Sequence, residues 1–383
     1  MVYLDNAATT FPKPEIVYVT MDKANRELAV NAGRGSYALA RKANKLITDT
    51  KVAIRKLIHV DMTAAVVFSP SITIALNQII HGYPWRNNAT IYLSPYEHNA
   101  VARPIHFLAK RNRVNIKLIP IKEENLEVDL EKLKYEFTKD RPDAIFCTHV
   151  SNVTGYILPI KEIFQEGKKY NSFNVLDSAQ SLGLLPIDAR QLDVDIVAFA
   201  GHKTLYGPFG IGGFVNVSGI ELDEFITGGT GSDSLNLNMS GGIETKYEAA
   251  SSNIVAVAGL KAALENLDQA KVLMHERKLT DYLIDQLSTI SEIHMFLPAD
   301  LKEHIGIVSF TYEGLKSEDV GMILDEDFDI AVRTGYHCAP YIHDYISDKK
   351  SNGTIRIGLS NFNKKEDIDL LCNALKDISG GFR

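Results

Sequence analysis

The chain has 383 residues, of which 45% are hydrophobic and 23% are charged, so it is long enough to form two domains around sizeable cores. Its formal net charge of −7, without a run of lysines and arginines, disfavours a nucleic acid as partner, and no run of 18 apolar residues predicts a membrane span. With only 3 scattered cysteines and an N-terminal stretch that does not resemble a secretory signal, we expect reduced thiols and a cytoplasmic protein.

The first clear element is an amphipathic helix, because spacings of three and four place four residues on one helix face: Ile47, Thr50, Ile54 and Leu57. Short β-rich runs then alternate with helical patterns in the order AAVVFS, ATIYLS, NIKLIPI, DAIFCTH, FNVLDS, DIVAFAG and GGFVNV. This alternation predicts an α/β fold with a mainly parallel sheet of seven strands that is covered by helices on both faces.

The pattern changes after Asn253, where two helical faces follow each other. Their members are Ile254, Val257, Leu260, Leu264 and Leu267 for the first, and Leu279, Leu283, Leu287 and Ile290 for the second. Three further strands are predicted in GIVSFTY, DIAVRTG and GTIRIGLS, and a closing helix in KKEDIDLLCNALKDI, for which Asn363 is the expected N-cap. We therefore predict a smaller α+β portion at the C-terminal end.

Polar side chains follow several predicted strands, at the edge where ligands bind in open α/β sheets. They are Glu97 and His98 after IYLS, Ser151 and Asn152 after IFCTH, Asp177 after FNVL, and His202 and Lys203 after IVAFA. Each residue alone also fits a turn or a solvated strand end. Together they fit a pyridoxal phosphate enzyme, which needs a lysine for the cofactor's aldehyde, an acid for its pyridine nitrogen and a flat group against its ring. Burial would favour the neutral amine of Lys203, which is the form that attacks an aldehyde.

The motifs LDNAATTFPKPE, EHNAV, SNVTG, DSAQS and AGHKTLYGPFGIG, in this order, resemble the class V aminotransferase superfamily of fold type I pyridoxal phosphate enzymes. RTGYHCA resembles the signature of group II cysteine desulfurases, which have a short catalytic loop. The resemblance implies a fold type I transferase with a large cofactor-binding domain at residues 15–255. A small α+β domain, formed by residues 1–14 and 256–383, would carry the catalytic cysteine loop.

The resemblance also implies a role for each matching residue and a homodimer, because the family's active sites lie at the subunit interface. Lys203 would bond pyridoxal phosphate, and Asp177 would hold its pyridine nitrogen. His98 would stack on its ring and assist proton movements as a catalytic residue. Asn152 and Gln180 would lie near its phenolic oxygen and edge, Asn152 would also bind the substrate, and the phosphate would be held by His202, Thr73 and the partner's Ser251. Arg356 would grip the substrate carboxylate with its planar fork. A phosphate near Thr73 has a physical basis, since a helix N-terminus presents unpaired N–H groups.

Cys338 decides between the reactions that pyridoxal phosphate allows. A thiolate at this position can attack the sulfur of bound L-cysteine, which leaves a protein persulfide and L-alanine; the sulfur would then pass to an acceptor protein or a small thiol. A neighbouring cation, which could be His337, Arg333 or Arg356, would raise the thiolate fraction. We therefore predict a cysteine desulfurase.

Other interpretations remain open at this point. A selenocysteine lyase that takes L-selenocysteine, or a cysteine-sulfinate-type β-lyase, would keep the fold, and a catalytically weak sulfur carrier or regulatory scaffold would keep the fold without the turnover. HCAPYIH has zinc-like spacing but no accompanying CxxC or HxxxH pair, so we expect no metal. The glycine clusters GPFGIGG and GGTGS match neither GxGxxG nor GxxxxGK, which disfavours dinucleotide enzymes and P-loop ATPases. Cys147, in an apolar strand, and Cys372, on a helix face, are expected to be inert.

Two segments depart from the family pattern. FSPSITIALN stands where relatives read FTSGATEALN or similar, so that Ser71, Ile72 and Ile74 replace a small residue, a small or hydroxyl residue and an acid. EAASSN stands where relatives read EAGTPN, so that Ser251 replaces the threonine that reaches the partner's phosphate. These changes remove no proposed catalytic residue, but the first predicts weaker contacts to the phosphate.

Overall fold

A computed structural model describes residues 1–32, 35, 37–111, 114–229, 235–239 and 242–381, and part of the GGTGS cluster, residues 230–232, lies outside these ranges. The strands are β1 (Val2–Tyr3), β2 (Ala65–Ser69), β3 (Ala89–Leu93), β4 (Val114–Leu118), β5 (Ala144–Thr148), β6 (Phe173–Asp177), β7 (Ile196–Ala200), β8 (Gly212–Asn216), β9 (Ile293–Met295), β10 (Ile307–Tyr312), β11 (Ile330–Ala331), β12 (Arg333–Gly335) and β13 (Thr354–Gly358). The helices are α1 (Glu15–Glu27), α2 (Ala38–Leu57), α3 (Ile72–Gly82), α4 (Asn99–Lys110), α5 (Leu130–Lys139), α6 (Ile160–Lys168), α7 (Ile243–Tyr247), α8 (Ile254–Glu265), α9 (Gln269–Leu287), α10 (Ser317–Phe328) and α11 (Lys365–Gly381).

The central sheet has seven strands in the order β2–β8–β7–β6–β5–β3–β4. The strands from β7 to β4 pair in parallel, whereas β8 is antiparallel to both β7 and β2. Every residue of β5, β6, β7 and β8 is buried, as expected for strands with helices on both faces. The predicted α/β fold with a mainly parallel seven-stranded sheet is therefore confirmed.

Side chains alternate between the two faces of this sheet. Ile145 and Cys147 pack in a core with residues of α2, α5, α6 and α8, whereas Ala144 and Phe146 pack in a core with residues of α3 and α4. The period of two in the strands and the apolar faces of the helices thus produce a three-layer arrangement, in which the ends of the strands stay open.

A second, antiparallel sheet in the order β12–β13–β10–β9 packs with α9, α10 and α11 around its own core. The segment DIAVRTG, predicted as one strand, forms two strands: β11 pairs with the N-terminal β1, and β12 joins the second sheet. The chain changes partners at Val332, which a local pattern does not reveal. The domain boundary at residue 255 remains a prediction.

The start of α11 also differs from the expectation. The helix begins at Lys365, and Asn363 is not adjacent to it. The Asn363 side chain instead accepts the Ser360 N–H at 3.0 Å and a hydrogen bond from the Asn6 amide at 3.1 Å, so it closes a turn against the N-terminal segment. Within the described part of the chain, no helix combines the length and apolarity needed to cross a membrane.

Candidate active site

The carboxyl ends of four adjacent parallel strands bring the predicted residues to one edge of the central sheet. Asp177 ends β6, Lys203 follows β7, His98 precedes α4 after β3, and Asn152 lies in the turn after β5. The spatial order β7–β6–β5–β3 therefore assembles an amine, a carboxylate, an amide and an imidazole from segments that are up to about a hundred residues apart.

Lys203 carries a partly buried amine that has no hydrogen bond or ion pair among the described residues. Burial lowers its pKa to about 8, and the negative charge of Asp177 opposes this effect. The Asp177 carboxyl is 4% exposed and accepts the Ala179 N–H at 2.9 Å; burial raises its pKa, while that hydrogen bond and Lys203 act in the opposite direction. The two groups interact through their charges without direct contact, which leaves the amine available.

His98 is the N-cap of α4, and its Nδ1 accepts the Ala100 N–H at 3.0 Å. Burial, with the nearby charge of Lys203, lowers its pKa to about 4. At neutral pH the ring is therefore uncharged, with its proton on Nε2. It lines a cavity of about 550 Å³ together with Thr73, on the first turn of α3, and Cys338.

Glu97, next to His98, is fully buried and fixes the segment that His98 belongs to. One of its oxygens accepts hydrogen bonds from the Ser94 hydroxyl and from the Thr148 N–H, the latter at 2.6 Å, and so ties the turn after β3 to the end of β5. Burial raises the pKa of Glu97 to about 8. The sequence predicted that the Glu97 carboxyl follows a strand, but it indicated no function for this group.

His202, and Ser71 close to Thr73, lie in the two segments for which we predict contacts with the phosphate. Burial lowers the pKa of His202 to about 3, and the ring stacks on Phe209 with centroids 4.6 Å apart. Its Nδ1 is buried and has no hydrogen-bond partner among the described residues. Ser71, one of the departures from the family pattern, caps α3 by accepting the Ile74 N–H at 3.3 Å. The N-terminus of α3 therefore keeps a capped first turn beside Thr73.

Of the predicted site residues, His98, Thr73 and Cys338 line the cavity of about 550 Å³, whereas its lining does not include Lys203, Asp177, His202, Asn152, Arg356, Gln180 or Ser251. The Gln180 side chain donates a hydrogen bond to the Ala7 carbonyl at 2.8 Å. Ser251 is exposed, accepts the Asn31 amide at 3.2 Å, and lines a different cavity of about 540 Å³. Within one chain, the structure therefore brings Ser251 to the surface rather than to Lys203.

Arg356 is 2% exposed and lies on β13, where its guanidinium is held by two acceptors. Nη2 pairs with the Asp5 carboxylate at 2.7 Å, and Nη1 donates to the Asn152 carbonyl at 3.0 Å. Nε is buried and has no hydrogen-bond partner in the part of the chain that the structure describes. Asp5 lies in the motif LDNAATT but is not predictable as a site residue from the sequence, because nothing local relates it to an arginine 351 positions away.

Cys338 is partly buried at the cavity, beside the guanidinium of Arg333. The Arg333 Nη2 lies 3.9 Å from Sγ. His337 is buried, which together with the charge of Arg356 lowers its pKa well below the usual value, so the ring is neutral. The expectation that His337 serves as a cation beside the sulfur is therefore wrong, because burial outweighs its intrinsic basicity.

The two other thiols differ from Cys338. Cys147 and Cys372 are both buried, and burial raises the pKa of each. Among the described residues, no three histidine, cysteine, aspartate or glutamate side chains are arranged to hold a metal ion. In HCAPYIH, the second histidine, His343, instead contacts the carboxylate of Asp348 and the carbonyl of Tyr336.

Comparisons with known proteins agree on the kind of protein. The family model described as aminotransferase class V matches residues 2–371. A curated protein of Halalkalibacterium halodurans named "Probable cysteine desulfurase" is 32% identical over 98% of this chain and 92% of its own length, and one of Methanothermobacter thermautotrophicus with the same name is 29% identical over 99% and 95%. The apo structure of a cysteine desulfurase from Thermococcus onnurineus NA1 superimposes with a TM-score of 0.90 at 26% identity over 99% of this chain and 95% of that one. The Escherichia coli cysteine desulfurase CsdA gives 0.85 at 25% identity over 98% and 94%.

Proposed function

Because the chain belongs to the class V aminotransferase family, we propose that it is a pyridoxal phosphate-dependent cysteine desulfurase that converts L-cysteine to L-alanine and takes the sulfur on Cys338 as a persulfide. One observation carries the proposal. The available amine of Lys203 lies at the same sheet edge as the buried carboxyl of Asp177, and the neutral ring of His98 lines one cavity with the Cys338 thiol. The names of the relatives support the same reaction.

The residues present fit pyridoxal phosphate. Lys203 offers an unpartnered amine, the second oxygen of Asp177 has no hydrogen bond among the described residues, and the neutral His98 offers a flat face. His202 offers a buried Nδ1 that no described residue bonds, and Thr73 stands at a helix N-terminus, where a phosphate is stabilised. When bound, the cofactor supplies an electron-withdrawing ring that makes the substrate Cα–H acidic.

Three residues of the chain then act on the substrate. Arg356 holds the substrate carboxylate with the N–H groups that Asp5 and Asn152 leave free, and the Nζ of Lys203 takes the proton from Cα. The Cys338 thiolate attacks the substrate sulfur: an S–S bond forms, the Cβ–S bond breaks, and its electron pair stays on the carbon side. A proton added at Cβ completes the methyl group of alanine. Asn152 and Gln180 complete the site at the cofactor's edge.

We further propose that the protein is a cytoplasmic homodimer. On the side of α1 away from its buried residues Val17 and Ala24, Ile16 and Val19 lie one helical turn apart and are 42% and 53% exposed, and this apolar face supports a subunit contact. In the dimer, Ser251 would reach the phosphate in the partner subunit. The persulfide sulfur would go to an acceptor protein or a small thiol.

The test begins with an absorption spectrum of the purified protein and ends with the reaction. We expect a yellow protein in which borohydride reduction fixes the cofactor onto Lys203, and peptide mass mapping would detect this modification. We also expect the protein to release alanine from L-cysteine and the Cys338→Ala variant to release none. Absence of a fixed cofactor would refute the cofactor assignment. Alanine release from L-selenocysteine but not from L-cysteine would favour the lyase, and a yellow protein that releases no alanine would favour the scaffold.

A further inference from the structure

The loop that carries Cys338, residues 336–341, has a backbone conformation that is unfavourable for residues with a side chain. His337 and Cys338 both have left-handed φ angles, +45° and +58°, in consecutive positions. Residues with a Cβ adopt this region at a cost in free energy and remain there only where the surroundings hold them. The position of the sulfur therefore depends on what holds this loop.

Three consecutive carbonyl groups of the loop each accept a hydrogen bond from outside it. The His337 carbonyl accepts the Asn152 amide at 2.7 Å, and the Cys338 carbonyl accepts the Asn99 N–H at 2.7 Å. The Tyr336 carbonyl accepts a hydrogen bond from the ring of His343 at 3.0 Å. The first two donors adjoin the site already described, whereas His343 has no place in the proposed reaction.

His343 is oriented by Asp348. The two side chains are 5% and 0% exposed, and the ring Nδ1 contacts the Asp348 carboxylate while Nε2 faces the Tyr336 carbonyl. Since a carbonyl oxygen can only accept a hydrogen bond, Nε2 is the donor in the contact with Tyr336. The carboxylate therefore fixes both the ring orientation and the donor that the loop uses.

The same pair is tied to β13, which carries Arg356. The Asp348 carbonyl accepts the N–H groups of Ser351 and Gly353, each at 3.1 Å, just before β13 begins. The Tyr336 ring packs edge-on against the His343 ring, with centroids 5.0 Å apart. The pair thus connects the loop with the strand that positions the predicted carboxylate-binding arginine.

We propose that His343 and Asp348 form a positioning pair for Cys338: they hold the Tyr336 carbonyl, and through it the left-handed residues that direct Sγ into the cavity beside His98. The inference rests on the proposed function for its catalytic consequence. Its structural part, the fixed position of the thiol, does not depend on any cofactor.

The experiment uses His343→Ala and Asp348→Asn, with His343→Gln as the variant that keeps an N–H donor for the Tyr336 carbonyl. The matched control is His275→Gln, because the ring of His275 contacts the Asn363 carbonyl at 2.9 Å, a contact in which no residue of the Cys338 loop takes part. In cofactor-free protein, the rate of Cys338 alkylation by iodoacetamide is measured, since the two other thiols are buried. We expect the rate to change at least about threefold in His343→Ala and Asp348→Asn, to return toward wild type in His343→Gln, and to be unchanged in the control.

Turnover of the loaded enzyme provides the second readout. Alanine release from L-cysteine should fall at least about tenfold in His343→Ala and Asp348→Asn, because a displaced nucleophile attacks poorly. Alanine release from cysteine sulfinate, whose leaving group departs without attack by a thiol, should change less than about twofold. Folding is checked by the thermal transition, and His343→Gln keeps the test decisive if His343→Ala fails to fold.

Unchanged alkylation and cysteine turnover in folded variants would overturn the inference. An equal loss with both substrates would also overturn it, because it would indicate general disruption of the site. If the wild-type protein released no alanine from L-cysteine, the proposed function would fail, while the alkylation rates would still decide whether the pair holds the thiol.

Discussion

At the scale of single residues, burial decides the protonation states that the site needs. Lys203 and His98 are both shifted toward their neutral forms, with pKa values of about 8 and about 4, and burial is the main cause for each. An uncharged amine can attack a carbonyl carbon, and an uncharged ring can lie against a pyridine ring. The same physics makes His337 neutral and leaves Arg333 as the cation beside the sulfur.

The lowered pKa of Lys203 predicts how the cofactor-free protein takes up pyridoxal phosphate. Because the amine reacts only when deprotonated, the rate of uptake should rise with pH with a midpoint of about 8, rather than 10.5 for an unperturbed lysine. The midpoint should move lower in Asp177→Asn, since Asp177 favours the charged amine. Stopped-flow absorbance across the pH range measures both, and a midpoint above 10 in the wild type would contradict the prediction.

Arg356 predicts a change in substrate affinity. Arg356→Lys keeps a charge for Asp5 but loses the planar fork, so KM for L-cysteine should rise at least about tenfold with a smaller change in kcat. Initial rates of alanine formation measure the two constants. Lys376→Arg, an exchange of the same residue types at an exposed position of α11, serves as the control. A loss confined to kcat would exclude a role for Arg356 in binding the carboxylate.

At the scale of elements, buried polar contacts join helices to the catalytic strands. α9 contributes Glu276, which is 4% exposed and accepts a hydrogen bond from the Tyr206 hydroxyl at 3.2 Å. Tyr206 lies just after Lys203, and its hydroxyl also accepts the Asn361 N–H at 3.0 Å. This helix therefore supports the Lys203 segment through a carboxyl group.

Glu276 predicts a pH-dependent stability. Burial raises its pKa from 4.5 to about 8, so its contribution to folding is fully present below pH 4.5 and is lost as pH rises to 8. Glu276→Gln cannot ionise, so its unfolding free energy relative to wild type should increase between these values, by an amount on the order of a few kcal/mol. Urea unfolding at pH 5 and pH 8 measures it. The exposed Glu265→Gln should show no such trend, and a pH-independent difference for Glu276→Gln would refute the prediction.

At the scale of the whole molecule, the family and the reaction predicted from the sequence agree with the comparisons with known proteins. The predicted membership of the class V aminotransferase superfamily is confirmed by the match over residues 2–371, and the relatives named cysteine desulfurase agree with the predicted enzyme. The subunit arrangement and the sulfur acceptor remain proposals. The exposed apolar face of α1 is the feature of the single chain that supports the proposed subunit arrangement.

The dimer is predicted to depend on this face. Light scattering should give about twice the 42.5 kDa mass of the chain, and Ile16→Asp with Val19→Asp should shift the protein toward the monomer, because a buried charge opposes association. The affinity for pyridoxal phosphate should fall in parallel if Ser251 acts across the interface. Met322→Asp, at a residue with 53% exposure on α10, is the control. A monomeric wild-type protein would refute the proposed dimer.

The sequence alone predicted the elements and the identity of the reacting groups. Strands buried on both faces require continuous apolar runs, helices require a period of three to four, and motifs such as DSAQS and RTGYHCA are local, so all of them can be read along the chain. The roles given to Lys203, Asp177, His98 and Cys338 are still predictions, but the structure does bring these residues to one edge of the sheet.

The tertiary structure decided what depends on distant neighbours and on the exclusion of water. The partners Asp5 and Arg356 are 351 positions apart, DIAVRTG divides between two sheets, and His343 pairs with Asp348. His337 becomes neutral only because the fold buries it. Pairing and desolvation arise when separate segments pack together, so no local pattern of residues encodes them.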